Sequence, residues 1–185
     1  MGLSSKVLHK LAYLYKYWIT CGGDKVSYLR TLGATIGNDC DIITNVTNFG
    51  SEPWLIQVGD KVTIAYGSWL ITHDGSSRLF RDRFTSMSKF GNKFGSIIIE
   101  DNCFIGINAI ILPGVVIGKN SIVGSGSVIT RSVAPNSVVA GNPAKHICSL
   151  DDYVERYKEK MLTIHSTDRT SLRKELTTYF WGSPR

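Results

Sequence analysis

The sequence predicts an all-β solenoid: a parallel β-helix of six-residue units, with a helical segment before the coil, one long excursion loop and helices after it. Three observations carry this. Large aliphatics recur every six residues without a gap, at Ile99, Ile105, Ile111, Ile117, Val123 and Ile129. Four residues after each stand Cys103, Ala109, Val115, Ser121, Ser127 and Val133, all small or β-branched. Fragments of the same period occur earlier, at Ile36 and Ile42 and then at Val58, Ile64 and Leu70.

The period excludes simpler folds. A helical face recurs at three to four residues and an alternating strand at two. Six is divisible by two, so short strands are allowed with a turn in every unit. The large residue and the small one four later then point to the same side. Each rung buries its aliphatics only against its neighbours, so stability is built by stacking. With three sides, a rung takes 18 residues, and 99–134 supplies two unbroken rungs.

The period slips twice. Sixteen residues separate Ile42 from Val58 where twelve would keep register, so a few bulge out around Asn48–Trp54. Twenty-nine separate Leu70 from Ile99. That excursion, 73–96, is rich in Gly, Ser, Arg and Lys, and a loop of this length in a compact domain is usually functional or disordered. The organisation expected is a helical segment over 1–31, the coil over 32–148 and a helical extension over 149–185.

The ends read differently. Val7, Leu8, Leu11, Tyr15 and Trp18 share one helical face. That face suits packing on the core; with Lys6, Lys10, Lys16 and Tyr17 it also suits a weak peripheral association with a membrane surface. After Leu150, Asp151 and Asp152 are expected to cap a helix carrying Tyr153, Val154, Tyr157 and Met161. A second helix is expected from near Asp168, with Leu172, Leu176, Tyr179 and Phe180, the pair covering the open end of the coil.

Composition narrows the function. The chain has 185 residues, 43% hydrophobic and 19% charged, which is ordinary for a globular core. A net charge of +6 suits a polyanion, including a multiply phosphorylated cofactor. No basic run interleaves with aromatics, so nucleic acid is not expected. No secretory signal is legible and no run nears the roughly 20 apolar residues of a membrane span, so a cytoplasmic protein is expected. Cys21, Cys40, Cys103 and Cys148 lie far apart without a CxxC pair, and read as buried, reduced thiols.

The run IEDNCF-IGINAI-ILPGVV-IGKNSI-VGSGSV-ITRSVA, followed by AGNPAKHI, resembles the hexapeptide-repeat acyltransferases, whose β-helix is left-handed. The resemblance covers roughly 32–148 and is nearest to the sugar O-acetyltransferases, including maltose, galactoside, capsule and O-antigen enzymes. It implies a left-handed parallel β-helix, acetyl-CoA as co-substrate, a sugar or polysaccharide-precursor hydroxyl as acceptor, and a homotrimer with active sites between subunits.

Histidine carries the expected chemistry. Of His9, His73, His146 and His165, only His73 lies within the coils, the first and last being assigned to helices. A three-histidine zinc site, as in carbonic anhydrases of this fold, is therefore not expected, and no metal is. His73 stands in LITHDG, where the coil gives way to the excursion, and the resemblance puts the catalytic histidine there. A sugar hydroxyl is a poor nucleophile, and an imidazole, which ordinarily titrates at about pH 6.5, suits removal of its proton. Attack on a thioester builds an oxyanion that needs fixed donors. The resemblance assigns this to the backbone N–H of Ile107, with Gly106 allowing close approach of the acyl group.

The remaining candidates are assigned by the same resemblance. Gly124, Ser125 and Gly126 are expected to form the wall along which pantetheine lies. Thr130, Arg131 and Lys145 are expected to meet the adenosine phosphates. Asn45 stands roughly where an acceptor-binding asparagine belongs. Asp74 either binds an acceptor hydroxyl or holds the loop, and Arg78 is a candidate for an acidic acceptor. Two alternatives stay open: an N-acyltransferase of an amino sugar nucleotide or an antibiotic, and a structural β-helix subunit without catalysis.

Overall fold

A computed structural model describes residues 22–84 and 91–182; the helix expected from Val7 to Trp18, together with His9 and Cys21, lies outside them. The chain divides into two units, 1–151 and 152–185.

The first unit is a three-sided coil. It opens with α1 (Lys25–Thr31), whose first turn is capped by the Asp24 carboxylate accepting the Val26 and Ser27 N–H groups. The helix buries Leu29 in the coil's core and closes the lower end, as a solenoid terminus requires. Lys25 Nζ donates to the Ile43 and Thr44 carbonyls, and Arg30 donates to those of Ile36 and Gly37.

Fifteen short strands follow among the described residues. Side A stacks β1 (Thr35–Ile36), β3 (Ile56–Val58), β8 (Ile97–Ile99) and β11 (Val116–Ile117). Side B stacks β2 (Asp41–Ile42), β4 (Thr63–Ile64), β9 (Phe104–Ile105) and β12 (Ile122–Val123), then β14 (Ser137–Gly141) and β15 (Ala144–Ser149). Side C stacks β5 (Trp69–Leu70), β10 (Ile110–Ile111) and β13 (Val128–Ile129). The stacks are parallel, apart from β15, which returns antiparallel to β14 after the cis Asn142–Pro143 bond. β6 (His73–Asp74) and β7 (Lys93–Phe94) form an antiparallel hairpin outside the coil, and α2 (Ser77–Arg83) lies within the excursion.

The six-residue period is visible in the register. Ile105 pairs with Val123, Ile111 with Ile129 and Ile99 with Ile117, each 18 residues apart and each fully or almost fully buried. The small residues four positions on fill the corners, with Cys103, Ala109, Val115, Ser121 and Ser127 all buried. Burial pushes the Cys103 thiol up, which leaves it a poor nucleophile at neutral pH. Cys148 is also buried, whereas Cys40 is only partly so.

At the corner between sides A and B the backbone turns through a left-handed residue, which asparagine tolerates better than most. Asn102, Asn120 and Asn136 occupy it at φ 55–57°. Their amides form a ladder, Asn102 Nδ2 to Asn120 Oδ1 at 2.8 Å and Asn120 Nδ2 to Asn136 Oδ1 at 2.9 Å. At the corner between sides B and C, a Cβ on Gly106 would stand 2.6 Å from Ser125 N and 2.7 Å from Val123 O. Glycine there is required by the rung above it, a packing reason distinct from the expected approach of an acyl group.

The helices after the coil differ in detail from the expectation. α3 (Leu150–Tyr157) begins before both aspartates, so Asp151 and Asp152 lie inside its first turn and do not cap it. In the second unit, α4 (Arg169–Trp181) is capped by Asp168, whose Oδ1 accepts the Thr170 and Ser171 N–H groups. His165 lies in the link before α4, not in a helix; its N–H and that of Ser166 donate to the Glu175 carboxylate.

Candidate active site

Both slips in the period meet at one corner. The chain leaves side C at Leu70 and turns out at Thr72. His73 then pairs with Phe94 across the hairpin, and Gly95 N donates to the Thr72 carbonyl at 2.9 Å, closing the excursion where it began. The first bulge, spanning single 3-10 turns at Val46–Asn48 and Pro53–Leu55, replaces a side C strand in the lowest rung. It presses onto the same corner. Gly50, at φ 65°, has room for no side chain, because a Cβ would stand 2.6 Å from Thr72 Oγ1.

This delivers Glu52 to His73. Glu52 Oε2 lies 2.9 Å from His73 Nδ1 and accepts the Thr72 hydroxyl at 2.6 Å. The Glu52 side chain is 16% exposed and that of His73 32%. Burial pushes the Glu52 carboxyl up, but the hydrogen bonds from Thr72 and His73 and the imidazole's charge outweigh it and hold the group below its usual range. An ionised carboxylate only accepts, so Nδ1 is the donor to Glu52, and in the neutral form of the ring the lone pair lies on Nε2. The Phe94 ring tilts against the imidazole at a centroid distance of 5.6 Å.

Asp74 follows His73 directly and is exposed. Its Oδ1 accepts the Ser76 N–H at 2.8 Å, which ties the loop and holds its carboxyl below the usual range. Arg78 lies within α2, and Asn45 is exposed at the start of the first bulge.

The other candidates fall on two corners. Gly106, Ile107, Gly124, Ser125 and Gly126 line the corner between sides B and C, where Gly126 N donates to the Ile107 carbonyl at 2.7 Å. Thr130 and Arg131 lie on the corner between sides C and A, the one that carries His73. Lys145 sits on β15 opposite Ala140, whose Cβ packs above Gly124. Side C therefore separates His73 from the Ile107 wall within one chain. A concavity of about 610 Å³ on side A, against Glu100 and Lys119, includes none of these residues. Among the described residues, no group of three or more His, Cys, Asp or Glu is placed to hold a metal ion. No helix among them is long and apolar enough to cross a membrane.

Glu52 is not apparent from the sequence. The slip around Asn48–Trp54 is the only signal of it, since the slip marks chain that has left the coil.

The family described as Bacterial transferase hexapeptide (six repeats) matches residues 96–131. Protein CapG of Staphylococcus aureus is 46% identical over 132 residues, which is 71% of this chain and 74% of that one. The chain belongs to the hexapeptide-repeat transferase family. The fold class of that family, the left-handed parallel β-helix, is the architecture described above. A solved structure of a maltose O-acetyltransferase from Clostridium difficile 630 matches with a TM-score of 0.51 at 26% identity, over 65% of this chain and 72% of that one. The hexapeptide-repeat acetyltransferase VCA0836 from Vibrio cholerae matches in fold with a TM-score of 0.57 at 24% identity, over 80% and 94%. The same protein complexed with acetyl-CoA matches with a TM-score of 0.51 at 22% identity, over 81% and 92%. Other acetyltransferases are matched over only 25–35% of their own length.

Proposed function

We propose that this hexapeptide-repeat transferase is an acetyl-CoA-dependent O-acetyltransferase, acting on a hydroxyl of a sugar or polysaccharide precursor. The observation that carries the proposal is His73, fixed through Nδ1 by Glu52 at the edge of the coil with Nε2 left for a substrate. Family membership supports the reaction class, as do the relatives named acetyltransferases, and the maltose O-acetyltransferase structure supports the sugar. Acetyl-CoA as donor is supported by the complex of VCA0836.

The reaction is a direct transfer. His73 Nε2 takes the acceptor proton as the oxygen attacks the thioester carbon. The Ile107 N–H faces the oxyanion that develops. The carbon–sulfur bond then breaks, and the imidazolium returns its proton to the departing thiolate of coenzyme A. Pantetheine lies along Gly124, Ser125 and Gly126, and Thr130, Arg131 and Lys145 meet the phosphates, where charge-assisted bonds are strongest.

Since side C separates His73 from the Ile107 wall, one chain carries two half-sites and a neighbouring copy completes each. The assembly is a homotrimer, with His73 of one subunit facing Ile107 and Ser125 of the next. Light scattering at micromolar protein is expected to return three times the chain mass. A fully active monomer would refute the shared site.

Calorimetry with acetyl-CoA, followed by mass spectrometry of products from a panel of sugars, amino sugars and nucleotide sugars, tests the function. Acetyl-CoA is expected to bind, and an O-acetylated sugar to form. Arg131→Ala and Lys145→Ala are expected to weaken binding while leaving the chemical step nearly intact. Absence of binding at millimolar acetyl-CoA would end the enzyme reading.

A further inference from the structure

A second polar cluster lies buried beneath the Ile107 corner, apart from His73. Thr44 and Ser68 are fully buried and Asn48 is 5% exposed. The Ser68 carbonyl accepts the Thr44 hydroxyl at 2.9 Å and the Asn48 amide at 3.1 Å. Asn48 Nδ2 also reaches Thr44 Oγ1 at 3.0 Å. The residue held in this way, Ser68, donates its own hydroxyl to the Gly106 carbonyl at 2.8 Å.

That carbonyl belongs to the peptide whose N–H is that of Ile107. A trans peptide is planar, so its C=O and N–H point to opposite sides. Two donors hold the Gly106 oxygen, the Ser68 hydroxyl from the rung below and the Ala109 N–H of the same turn at 3.2 Å, and an oxygen held on the Ser68 side directs the Ile107 N–H away from Ser68. Among the described residues that N–H has no backbone acceptor. The next peptide is fixed as well, by Gly126 N on the Ile107 carbonyl at 2.7 Å.

Packing alone does not ask for a hydroxyl at this position. Trp69 pairs with Ile110, so Ala109 is the counterpart of Ser68 one rung up, and it is fully buried with a methyl group alone. The polar cluster also gives the first bulge a second use. Thr44, just before the bulge, and Asn48, early in it, hold Ser68, while Glu52 later in the same bulge holds His73.

We propose that Ser68 is a positioning residue for the transfer, which preorganises the Ile107 N–H as an oxyanion donor by fixing the Gly106–Ile107 peptide plane. This rests on the assignment of Ile107 given above. Donors already aimed where charge develops stabilise a transition state without reorganising during the reaction, which is why loss of their alignment costs turnover more than binding.

The test measures thiol release from acetyl-CoA, in the presence of the sugar most readily acetylated in the panel, for Ser68→Ala, Ser68→Cys and Ser121→Ala. Ser121 is a matched control: it is equally buried and donates to the Ala134 carbonyl at 3.1 Å, but it stands at the corner between sides A and B. Ser68→Ala is expected to lower kcat by about ten- to a hundredfold, with KM for acetyl-CoA within about twofold of wild type. Ser68→Cys, a weaker donor of similar size, should fall between the two. Ser121→Ala should lose comparable thermal stability and keep wild-type kcat. A folded Ser68→Ala protein with at least half of wild-type kcat overturns the proposal, and so does Ser121→Ala losing as much turnover. A wild-type protein that releases no thiol with any acceptor overturns the transferase reading, and this inference with it.

Discussion

His73→Ala and His73→Asn are expected to fold normally, bind acetyl-CoA as wild type does, and turn over roughly 10²–10⁴ times more slowly, the usual range for a positioned base. The His73 side chain is about one-third exposed and lies on the hairpin outside the coil, so its removal takes nothing from the stacked aliphatic core. Stability and turnover should separate for that reason. Two rival accounts predict otherwise. Were His73 a structural residue, melting temperature and activity would fall together. Were a cysteine acylated, Cys→Ala changes would abolish turnover and double-displacement kinetics would appear. Cys103 and Cys148 are poorly placed for that role, since both are buried in the coil.

Glu52→Gln is expected to lower kcat by roughly 10–10³-fold, because losing the carboxylate beneath a catalytic histidine removes both its fixed tautomer and its orientation. The exchange keeps the volume and can keep the Thr72 hydrogen bond, so the fold should be retained. KM for acetyl-CoA should move little, because Glu52 bonds to Thr72 and His73 and these are not among the residues assigned to the coenzyme. A Glu52 with a merely structural role would give the opposite pattern, lower melting temperature with kcat intact. Thr72→Val is expected to act in the same direction and more weakly, since Glu52 keeps its bond to Nδ1.

The coil was legible because its physics is local and repeated. Each side needs one inward aliphatic and each corner one small residue, and Ile99 to Val133 write that need six times in register. His73 was legible from the break it sits on. Glu52 was not, because its partner is 21 residues on in the chain and only the stacking of the lowest rung on the next brings them together. Ser68 was hidden differently. A small residue at that position is what packing asks for, and the hydroxyl's target is a carbonyl 38 residues away. Gly106 stands out in the sequence as room for an acyl group, and the stacking of the rung above adds a second demand for glycine that the sequence does not display. The aspartates at 151 and 152 looked like caps because acidic residues favour a helix start, and they favour its first turn as well as its cap.

The pH dependence of kcat/KM, measured for wild type and His73→Ala with the same acceptor, tests the central claim most directly. Glu52 is held below its usual range, so it remains ionised while the pH falls through the region in which an imidazole titrates. An acid limb in the wild-type profile therefore reports the base and not the loss of its carboxylate partner. The prediction is a wild-type rate that falls with unit slope towards acid as one imidazole protonates, and a slow His73→Ala rate from which that limb is absent. A folded His73→Ala protein that keeps near-wild-type turnover, or that shows the same acid limb, would contradict His73 as the base.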